Sequence, residues 1–535
     1  MSKNLSELSA RHGLENNLFE NLAGNPDTEA IAREFLIGKA SVNGAVSFYD
    51  FLKAENRDKK VYVCNGSACL CAGTQKQLTQ HLEQHFDSSQ IGHMTCLGRC
   101  HENSAFHYQG RNYSGLDSAE INAVMDNKNT IKDNYRVGSL GTPILTGKAI
   151  SIDQFINAFD ALMTKGKNEI LGELKISSLR GRGGAGFPIS FKLDSAMNAE
   201  SNQKYIICNA DEGDAGAYSD RYLLEQQPLL VLFGILASAY IIGADHGILY
   251  IRAEYPESIA TIKNNIDQLA PYIESINFDF KFKIISAQGA YICGEETALI
   301  NSIEGQRPEV RVRPPFPTQQ GLFNKPTVVN NVETLACLYS ITTKGGKFYN
   351  AIGTDKSKGT KLISLDSCFT HPGIYEVEMG RTLLDVFEQC GSGFAKDIKA
   401  LQIGGPLGGI IPTNKISDLQ LDFESFSNNG FLLGHASVVG IPVDFPMIKY
   451  LHHLFEFAAY ESCGKCFPCR LGTKRGEELL LNTIKNKQKI DAELFTDLLN
   501  TLEQGSLCAH GGGIPLPIKN ALIYFSDELS DYFCN

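Results

Sequence analysis

Cys463-Gly-Lys-Cys466-Phe-Pro-Cys469, followed well downstream by Cys508, constrains this chain more than any other stretch. Three thiols two residues apart can wrap one side of a cubane; a fourth must then come from elsewhere in the fold. Four-iron clusters are held by four cysteines, often through such C-x2-C-x2-C runs. Zinc also suits four thiolates but more often takes two C-x2-C pairs, so it stays as the rival. A second constellation, Cys64-x4-Cys69 with Cys96-x3-Cys100, offers two thiols from each of two segments. That suits a two-iron cluster or zinc. Cys71 lies beside Cys69 and could replace it. The remaining cysteines, Cys208, Cys293, Cys337, Cys368, Cys390 and Cys534, read as small buried apolar residues.

The chain has 15 cysteines, and its start, MSKNLSELSARHGLENN, lacks the basic-then-apolar build of a secretory signal. An odd cysteine count without a signal argues against a disulfide scaffold and for metal or redox chemistry in a reducing, cytoplasmic compartment. The formal charge of −11 speaks against nucleic-acid binding. The longest apolar run, Leu229 to Gly243, is shorter than the roughly 20 residues a membrane span needs. It reads as a buried core helix, and no direct membrane insertion is expected.

At 535 residues the chain has room for three or four domains. Residues 1–60 read as helical, with helices starting at Asp27-Thr28-Glu29-Ala30 and running from Val42 to Leu52. Lys60 to Cys64 reads as a strand ending in a cysteine loop; 74–86 is helical again, and Cys96 to Cys100 sits in a second loop. Polar Asn127 to Tyr135 reads as a linker. Residues 136–345 alternate strand and helix signals; Tyr205 to Cys208 and Gly247 to Ile251 have the continuous apolar character of buried parallel strands. Thr360 to Leu365, Gly373 to Val377, a helix from Leu383 and a glycine loop at 404–409 make a small α+β unit. From Pro446 on, helices surround the cysteine loop.

Gly181-Arg182-Gly183-Gly184-Ala185-Gly186 formally matches G-x-G-x-x-G. A dinucleotide fold wants a strand immediately before it, and Lys175 to Leu179 is short and polar. The glycines still let backbone N–H groups face a phosphate or a flat ring. Three polar segments follow apolar strands: Cys208-Asn209-Ala210-Asp211-Glu212-Gly213-Asp214, Ala290-Tyr291-Ile292-Cys293-Gly294-Glu295-Glu296-Thr297, and Val329-Asn330-Asn331-Val332-Glu333-Thr334. Ligands of α/β sheets sit beyond the carboxyl ends of strands, so these loops can meet at one ligand; each alone could be a solvated turn.

The glycine loop with Phe187, the CNADEG loop, AYICGEETAL, Pro314-Pro315-Phe316-Pro317, VNNVET and ESCGKC-x-PCR together resemble the NADH- and FMN-binding flavoprotein subunit of respiratory complex I. Its relatives serve NAD-reducing hydrogenases and soluble NAD-dependent formate dehydrogenases. The resemblance runs from about 136 to 530. Residues 30–125 resemble the partner subunit of the same enzymes, a thioredoxin-like two-iron ferredoxin preceded by helices. The implied fold is α/β multidomain: a helical and thioredoxin-like [2Fe–2S] domain (1–130), a Rossmann-like FMN and NADH domain (131–345), a β-grasp domain (346–445) and a helical [4Fe–4S] domain (446–535). The resemblance implies FMN contacts at Gly181, Gly183, Gly184, Gly186, Lys192, Asn209, Asp211, Asn330, Asn331 and Thr334. It implies nicotinamide-nucleotide contacts at Phe187, Glu212, Asp214, Glu296 and Phe316, with Tyr291 and Glu295 between the two ligands. Tyr291, Glu295 and Glu296 are the implied catalytic group. Cys463, Cys466, Cys469 and Cys508 would hold the [4Fe–4S] cluster, and Cys64, Cys69, Cys96 and Cys100 the [2Fe–2S] cluster.

The chain departs from complex I at several positions. Asp214 stands for a usual Glu, Arg313 for a Lys, Leu193 for a Trp, and Ser195 for an aromatic residue of the stacking surface. The gap from Cys69 to Cys96 is also shorter. Asp214 and Arg252-Ala253-Glu254-Tyr255-Pro256 look closer to the formate dehydrogenase branch. The implied activity is hydride transfer between NAD(H) and FMN, then single-electron transfer through iron–sulfur clusters to a catalytic subunit carrying the second redox site, with an iron–sulfur relay subunit as a further partner. The formate dehydrogenase β subunit is the first reading. A hydrogenase subunit, a non-catalytic electron carrier and a zinc-stapled binding protein are the alternatives. Hydride transfer needs no acid–base pair, and His452, His453 and His510 read as surface or satisfied core residues.

Overall fold

The computed structural model describes residues 10, 13–15, 17–24, 27–127 and 133–534. Parts of the expected N-terminal helical stretch and of the 127–135 linker lie outside the described residues. Asp27 starts the helix Thr28–Glu34, its carboxylate accepting from the Glu29 and Ala30 N–H groups. The next helix spans Lys39–Val46 rather than running on to Leu52. Tertiary contacts stop it. Tyr49 donates its hydroxyl hydrogen to Ser302 Oγ (2.8 Å), and the N–H groups of Asp50 and Phe51 bond to Gly289 and Gln288 carbonyls. The chain therefore turns onto another domain.

In the thioredoxin-like unit, β1 (Val61–Cys64) lies between parallel β2 (Ile91–Met94) and the antiparallel hairpin β3 (Phe106–Tyr108) and β4 (Arg111–Tyr113). Cys64 ends β1. Cys69 and Cys71 lie on a short helix, Ser67–Ala72, not in the loop expected there.

The central unit has four parallel strands: β6 (Tyr205–Ala210), β7 (His246–Arg252), β8 (Lys281–Ala287) and β9 (Thr327–Asn331), in the order β8-β7-β6-β9. The order reverses between β6 and β9, so the crevice at their carboxyl ends is the switch point where such sheets bind ligands. The apolar run forms the buried helix Pro228–Ile242. At Gly234 a Cβ would lie 2.0 Å from the Leu335 carbonyl oxygen; only glycine lets this helix pack so closely on Val332–Lys344. Among the described residues, no single helix is long and apolar enough to cross a membrane.

A six-stranded sheet follows, in the order β13-β12-β14-β10-β11-β5. It comprises β10 (Thr360–Leu365), β11 (Gly373–Glu378), β12 (Ile398–Ile403), β13 (Gly409–Pro412) and β14 (Ser437–Pro442). Its edge strand, β5 (Arg136–Leu140), comes from before the four-stranded unit and pairs in parallel with β11. Residues 136–140 thus belong by hydrogen bonding to the β-grasp sheet, not to the 131–345 segment in which the sequence places them. A buried Lys361–Glu333 ion pair ties the two units. Helices Met447–Tyr460, Phe467–Asn486, Ala492–Gly505 and Pro515–Tyr524 complete the C-terminal unit. Of the cysteines expected to be inert and buried, Cys208, Cys293, Cys337, Cys368 and Cys390 are buried; Cys534, in a two-residue strand near the chain end, is exposed.

Candidate functional site

The glycine loop follows a helix, Lys167–Ser177, and not a strand, so it is not an ordinary dinucleotide turn. It is pinned instead against the start of the helix after β9: the Arg182 N–H donates to Thr334 Oγ1 (2.8 Å). A Cβ on Gly183 would lie 2.9 Å from Asn331 Cβ, and Gly184 has φ +118°, so backbone is brought to the crevice edge without side chains in the way.

The three polar loops converge there. Asn209 donates to the Gly294 carbonyl (2.9 Å), joining the first loop to the second. Lys192 donates to Glu296 Oε2 (2.8 Å) and to the Val329 carbonyl (2.9 Å), joining the second to the third. Asn331 caps the helix after β9 by accepting from the Glu333 N–H (2.9 Å) and donates to Asp220 Oδ2 (2.6 Å). Glu295 caps the helix Glu296–Ile303 and pairs with Arg313, which also reaches Glu296 (3.0 Å). Three buried polar atoms here have no hydrogen-bond partner: Asp211 Oδ2, Asp220 Oδ1 and Asn330 Nδ2. Buried polar groups are normally satisfied. A crevice with exposed backbone N–H groups, unsatisfied amide and carboxylate atoms and a nearby lysine fits a polar flat-ring ligand such as FMN. Asp211 is held well above the usual carboxylate range by burial.

Three phenyl rings stand open at the mouth: Phe187 is 46% exposed, Phe316 51% and Phe191 65%. Phe187 and Phe191 meet edge to face at 5.5 Å. Sequence reasoning misses Phe191, although its helical spacing from Phe187 is legible. It supplies a ring where the departures at Leu193 and Ser195 suggest a loss. Leu193 is fully buried, so it lies in the core and not on a stacking surface; Ser195 bonds Thr318 (2.9 Å). Glu212, expected at the nucleotide, is turned inward. It accepts from the Asp220 and Arg221 N–H groups, from Ser219 and from the Tyr255 hydroxyl. Burial, with the Asp220 carboxylate adding to it, pushes it up to about 7.

Tyr291 bridges this crevice to the C-terminal cysteines. Its hydroxyl donates to Asp214 Oδ1 (2.8 Å) and its N–H to Glu461 Oε2 (2.9 Å), two residues before Cys463. Its ring packs on Phe457 and on His510. His510 bonds the Ala458 carbonyl oxygen (2.8 Å) through Nε2 while its buried Nδ1 has no hydrogen-bond partner, and the half-buried His453 bonds Ser67 (3.1 Å); His452 is half-buried, its Nε2 without a hydrogen-bond partner. Cys463 and Cys469 are buried, and Cys466 and Cys508 half-buried. Burial, with Cys466, Cys508 and Cys463 close by, pushes the Cys469 thiol up to about 12. Cys466 is the N-cap residue of the helix Phe467–Asn486, where the helix dipole favours negative charge.

The N-terminal thiols form two pairs. Cys69 lies beside Cys64, whose thiol together with burial pushes the Cys69 thiol well up, and Cys96 and Cys100 lie 3.5 Å apart. Backbone N–H groups of Gly66 and Gly216 point at Cys64 and Cys100 sulfur (3.4 and 3.3 Å). Cys71 faces the other way, toward Asp366 and Cys368. In a zinc tetrathiolate, with Zn–S near 2.3 Å, all sulfurs stand about 3.8 Å apart. Among the described residues no three cysteine sulfurs lie within 4.8 Å of one another. Two separated pairs suit two irons, and a wider quartet suits a cubane. The N-terminal thiols abut the crevice: Arg252 donates to the Glu212 carbonyl on one side and to the Cys96 carbonyl on the other.

His435, on the β-grasp unit, lies beneath the crevice, with Nε2 3.4 Å from Asp220 Oδ2. Burial alone would strip its proton; the Asp220 carboxylate more than offsets this and holds its pKa at about 9, against 6.5 ordinarily. A raised folded-state pKa stabilises fully below the unfolded value, and the gain disappears as pH climbs through the folded one. Melting temperature is therefore expected to fall between pH 6.5 and 9.5 more steeply in the natural protein than in His435→Gln. The difference amounts to roughly 3 kcal/mol, and calorimetry across that range checks it.

Three family models match the chain: the Nuo51 FMN-binding domain over residues 174–340, the NADH-ubiquinone oxidoreductase-F iron–sulfur binding region over 449–532, and a thioredoxin-like [2Fe–2S] ferredoxin over 23–129. The NADP-reducing hydrogenase subunit HndC of Solidesulfovibrio fructosivorans is 39% identical over 71% of this chain and 80% of its own length. The F 2 subunit of the NADH-quinone oxidoreductase of Rhizobium meliloti is 39% identical over 68% and 88%. The HoxS alpha subunit of the NAD-reducing hydrogenase of Cupriavidus necator is 38% identical over 67% of this chain and 60% of its own. Among solved structures, a chain of the air-oxidized NAD+-reducing [NiFe]-hydrogenase superposes with TM-score 0.85 at 28% identity, covering 95% of this chain and 90% of that one.

Proposed function

Because the chain belongs to the family of FMN- and NADH-binding iron–sulfur proteins that includes the F-type subunits of NADH-quinone oxidoreductase and their counterparts in NAD-reducing hydrogenases, we propose that it exchanges electrons between NAD(H) and a separate catalytic subunit of hydrogenase type. It is an NADH dehydrogenase-type flavin iron–sulfur oxidoreductase whose cofactors are FMN, NAD(H), a [4Fe–4S] and a [2Fe–2S] cluster. The observation that carries the proposal is Tyr291, which touches the crevice through Asp214 and the cysteine quartet through Glu461 and His510.

FMN, when bound, takes a hydride from NADH and releases electrons singly. The rest falls to the chain. Gly181 to Gly186, Lys192, Asn209, Asp211, Asn330, Asn331 and Thr334 line the flavin crevice. Phe187, Phe191 and Phe316 offer apolar faces to the nucleotide at its mouth, so that nicotinamide is held stacked and the transfer distance is short. Glu295, Glu296 and Arg313 form a charged rim for ribose and phosphate. Cys463, Cys466, Cys469 and Cys508 would hold the [4Fe–4S] cluster. Cys64, Cys69, Cys96 and Cys100 would hold the [2Fe–2S] cluster, and Cys69 is chosen over Cys71 because it pairs with Cys64. Phe467, Leu471 and Leu507 are exposed beside Cys466 and Cys508, an apolar rim suited to a relay or catalytic subunit. The cysteine content suits a reducing, cytoplasmic setting.

The structural match to the hydrogenase chain over nearly the whole length favours the hydrogenase type. The formate dehydrogenase type is the second reading, favoured by Asp214 and by Arg252 to Pro256. Anaerobic NADH is expected to bleach the yellow band of the purified protein and to give hydrogen-linked activity with its co-purifying subunit. Formate-linked activity instead selects the second reading. Absence of bleaching with flavin present sinks the NADH reaction, and zinc without acid-labile sulfide sinks the cluster assignment.

A further inference from the structure

The crevice floor contains a buried charge cluster that the sequence motifs do not announce. Asp220, on the helix Ser219–Gln226, holds the Asn331 carboxamide (2.6 Å) with Oδ2. His435 approaches the same oxygen with Nε2 (3.4 Å) and lies 3.5 Å from Asn331 Nδ2. Its other nitrogen is 3.9 Å from Glu212 Oε1. Glu212, Asp220 and His435 are all buried, and Asp220 Oδ1 and His435 Nδ1 have no hydrogen-bond partner. The loop that carries His435 is itself part of the crevice wall: a Cβ on Gly184 would lie 3.6 Å from Gly434. So a side chain from the β-grasp unit reaches under the ligand crevice of the neighbouring unit.

The charges around that crevice are mostly negative. Asp211, Glu212, Asp214 and Asp220 lie on the segment 208–214 or the helix after it, and the cations nearby are each held by a carboxylate of their own: Lys361 by Glu333, Lys192 by Glu296, Arg252 by Glu254 and Arg221 by Asp133. A flavin in this crevice gains negative charge on reduction, and in a poorly screened interior such carboxylates would oppose that gain. We propose that His435 is a positioning residue that supplies one fixed positive charge beneath the crevice, held by Asp220 and Glu212, and thereby eases reduction of the bound FMN while steadying Asn331. The proposal rests on the FMN reading of the crevice. It adds to that reading a residue from another unit with a defined electrostatic sign. Glu212 already accepts from four donors, two of them backbone N–H groups of the helix Ser219–Gln226, so the arrangement suits a bridging imidazolium better than a metal ion.

The sign makes the test. Anaerobic redox titration of bound FMN at pH 8 compares the natural protein with His435→Gln, Asp220→Asn and the double variant. Glutamine keeps an N–H donor and asparagine keeps an acceptor for Asn331, so both preserve the hydrogen bonds while removing charge. His435→Gln is expected to shift the two-electron equilibrium about tenfold toward oxidised FMN, a fall of about 30 mV. Burial strips His435 of its proton once the Asp220 carboxylate is gone, so Asp220→Asn removes both charges of the pair, and it and the double variant are both expected to stay within about threefold of the natural value. A merely structural role would shift Asp220→Asn as far as His435→Gln, or leave the potential fixed while FMN occupancy drops; either result overturns the proposal. If His435→Gln does not fold, His435→Asn takes its place, with the same fall expected and an unchanged potential overturning the proposal. Failure of every variant and of the natural protein to bind FMN instead overturns the reading of the crevice, and the proposal with it.

Discussion

Cys466→Ser is expected to leave NADH-driven bleaching of the flavin in place while cutting electron delivery to the partner subunit more than about 100-fold. The reasoning separates two halves of one route. The flavin crevice is built from β6, β9, the glycine loop and the 290–297 segment, none of which depends on Cys466. The quartet is built from the loop after the helix Met447–Tyr460, from the first turn of the next helix, which carries Cys469 and has Cys466 as its N-cap, and from Cys508. Changes in the surroundings of a metal ligand already cost roughly 10–100-fold, so loss of a ligand is expected to exceed that. Cys466 is the informative choice because it is half-buried, whereas Cys463 and Cys469 are buried. Serine in its place fills the N-cap with a residue that favours it, so the helix keeps its start. Stopped-flow absorbance follows the bleaching. Acid-labile sulfide and low-temperature EPR of the reduced protein follow the clusters, with one signal lost and the N-terminal one kept. Retention of both signals and of full partner activity would remove Cys466 from the ligand set. Loss of bleaching together with delivery would mean that the cysteine loop supports the crevice itself.

What the sequence discloses here follows from how local each signal is. The quartet is legible because three of its members crowd around one helix start, Cys466 being the N-cap of the helix Phe467–Asn486, with the short spacing that the cluster proposed for them requires. The apolar strands Tyr205 to Cys208 and Gly247 to Ile251 are legible because burial on both faces leaves continuous apolar runs. The buried helix Pro228–Ile242 is legible for the same reason. Helix ends are less so. The helix expected to reach Leu52 stops at Val46 because Tyr49 finds Ser302, 253 residues away, and no local pattern encodes that partner. The edge strand Arg136–Leu140 is hidden in the same way, since its pairing partner is Gly373–Val377. At the site, the loops that meet are each visible as polar segments after apolar strands. Which side chains turn inward is not visible. Glu212 reads as one of the three acids of its loop until Tyr255 and the start of a helix are seen to claim it. His435 stands alone in an ordinary loop, and only the docking of the β-grasp unit brings it to Asp220. Phe191 is within reach, because it lies four positions after Phe187, in the first turn of the helix Ile189–Met197, but the aromatic positions of a known motif do not include it.

Gly183→Val is expected to lower the flavin content of the purified protein below about one tenth of the natural value while both cluster signals persist. A Cβ at this position would lie 2.9 Å from Asn331 Cβ, closer than real side chains approach. Asn331 cannot yield, because its two ends are committed, one to the Glu333 N–H and the other to Asp220. The glycine loop must therefore lift away from β9 and carry its backbone N–H groups out of the crevice. Overpacking of this kind costs about 1–3 kcal/mol, too little to unfold a chain with several independent cores. The expected loss is thus of ligand and not of fold. Gly181→Ala is the matched control: its Cβ would lie 3.4 Å from the Phe187 carbonyl oxygen, an ordinary contact, and it has no positive φ. That variant is expected to keep nearly full flavin. Flavin absorbance per iron, with circular dichroism to verify the fold, measures both. Full flavin in Gly183→Val would place the prosthetic group elsewhere, and equal losses in both variants would point to general fragility of the loop instead of the specific closeness of Gly183 to Asn331.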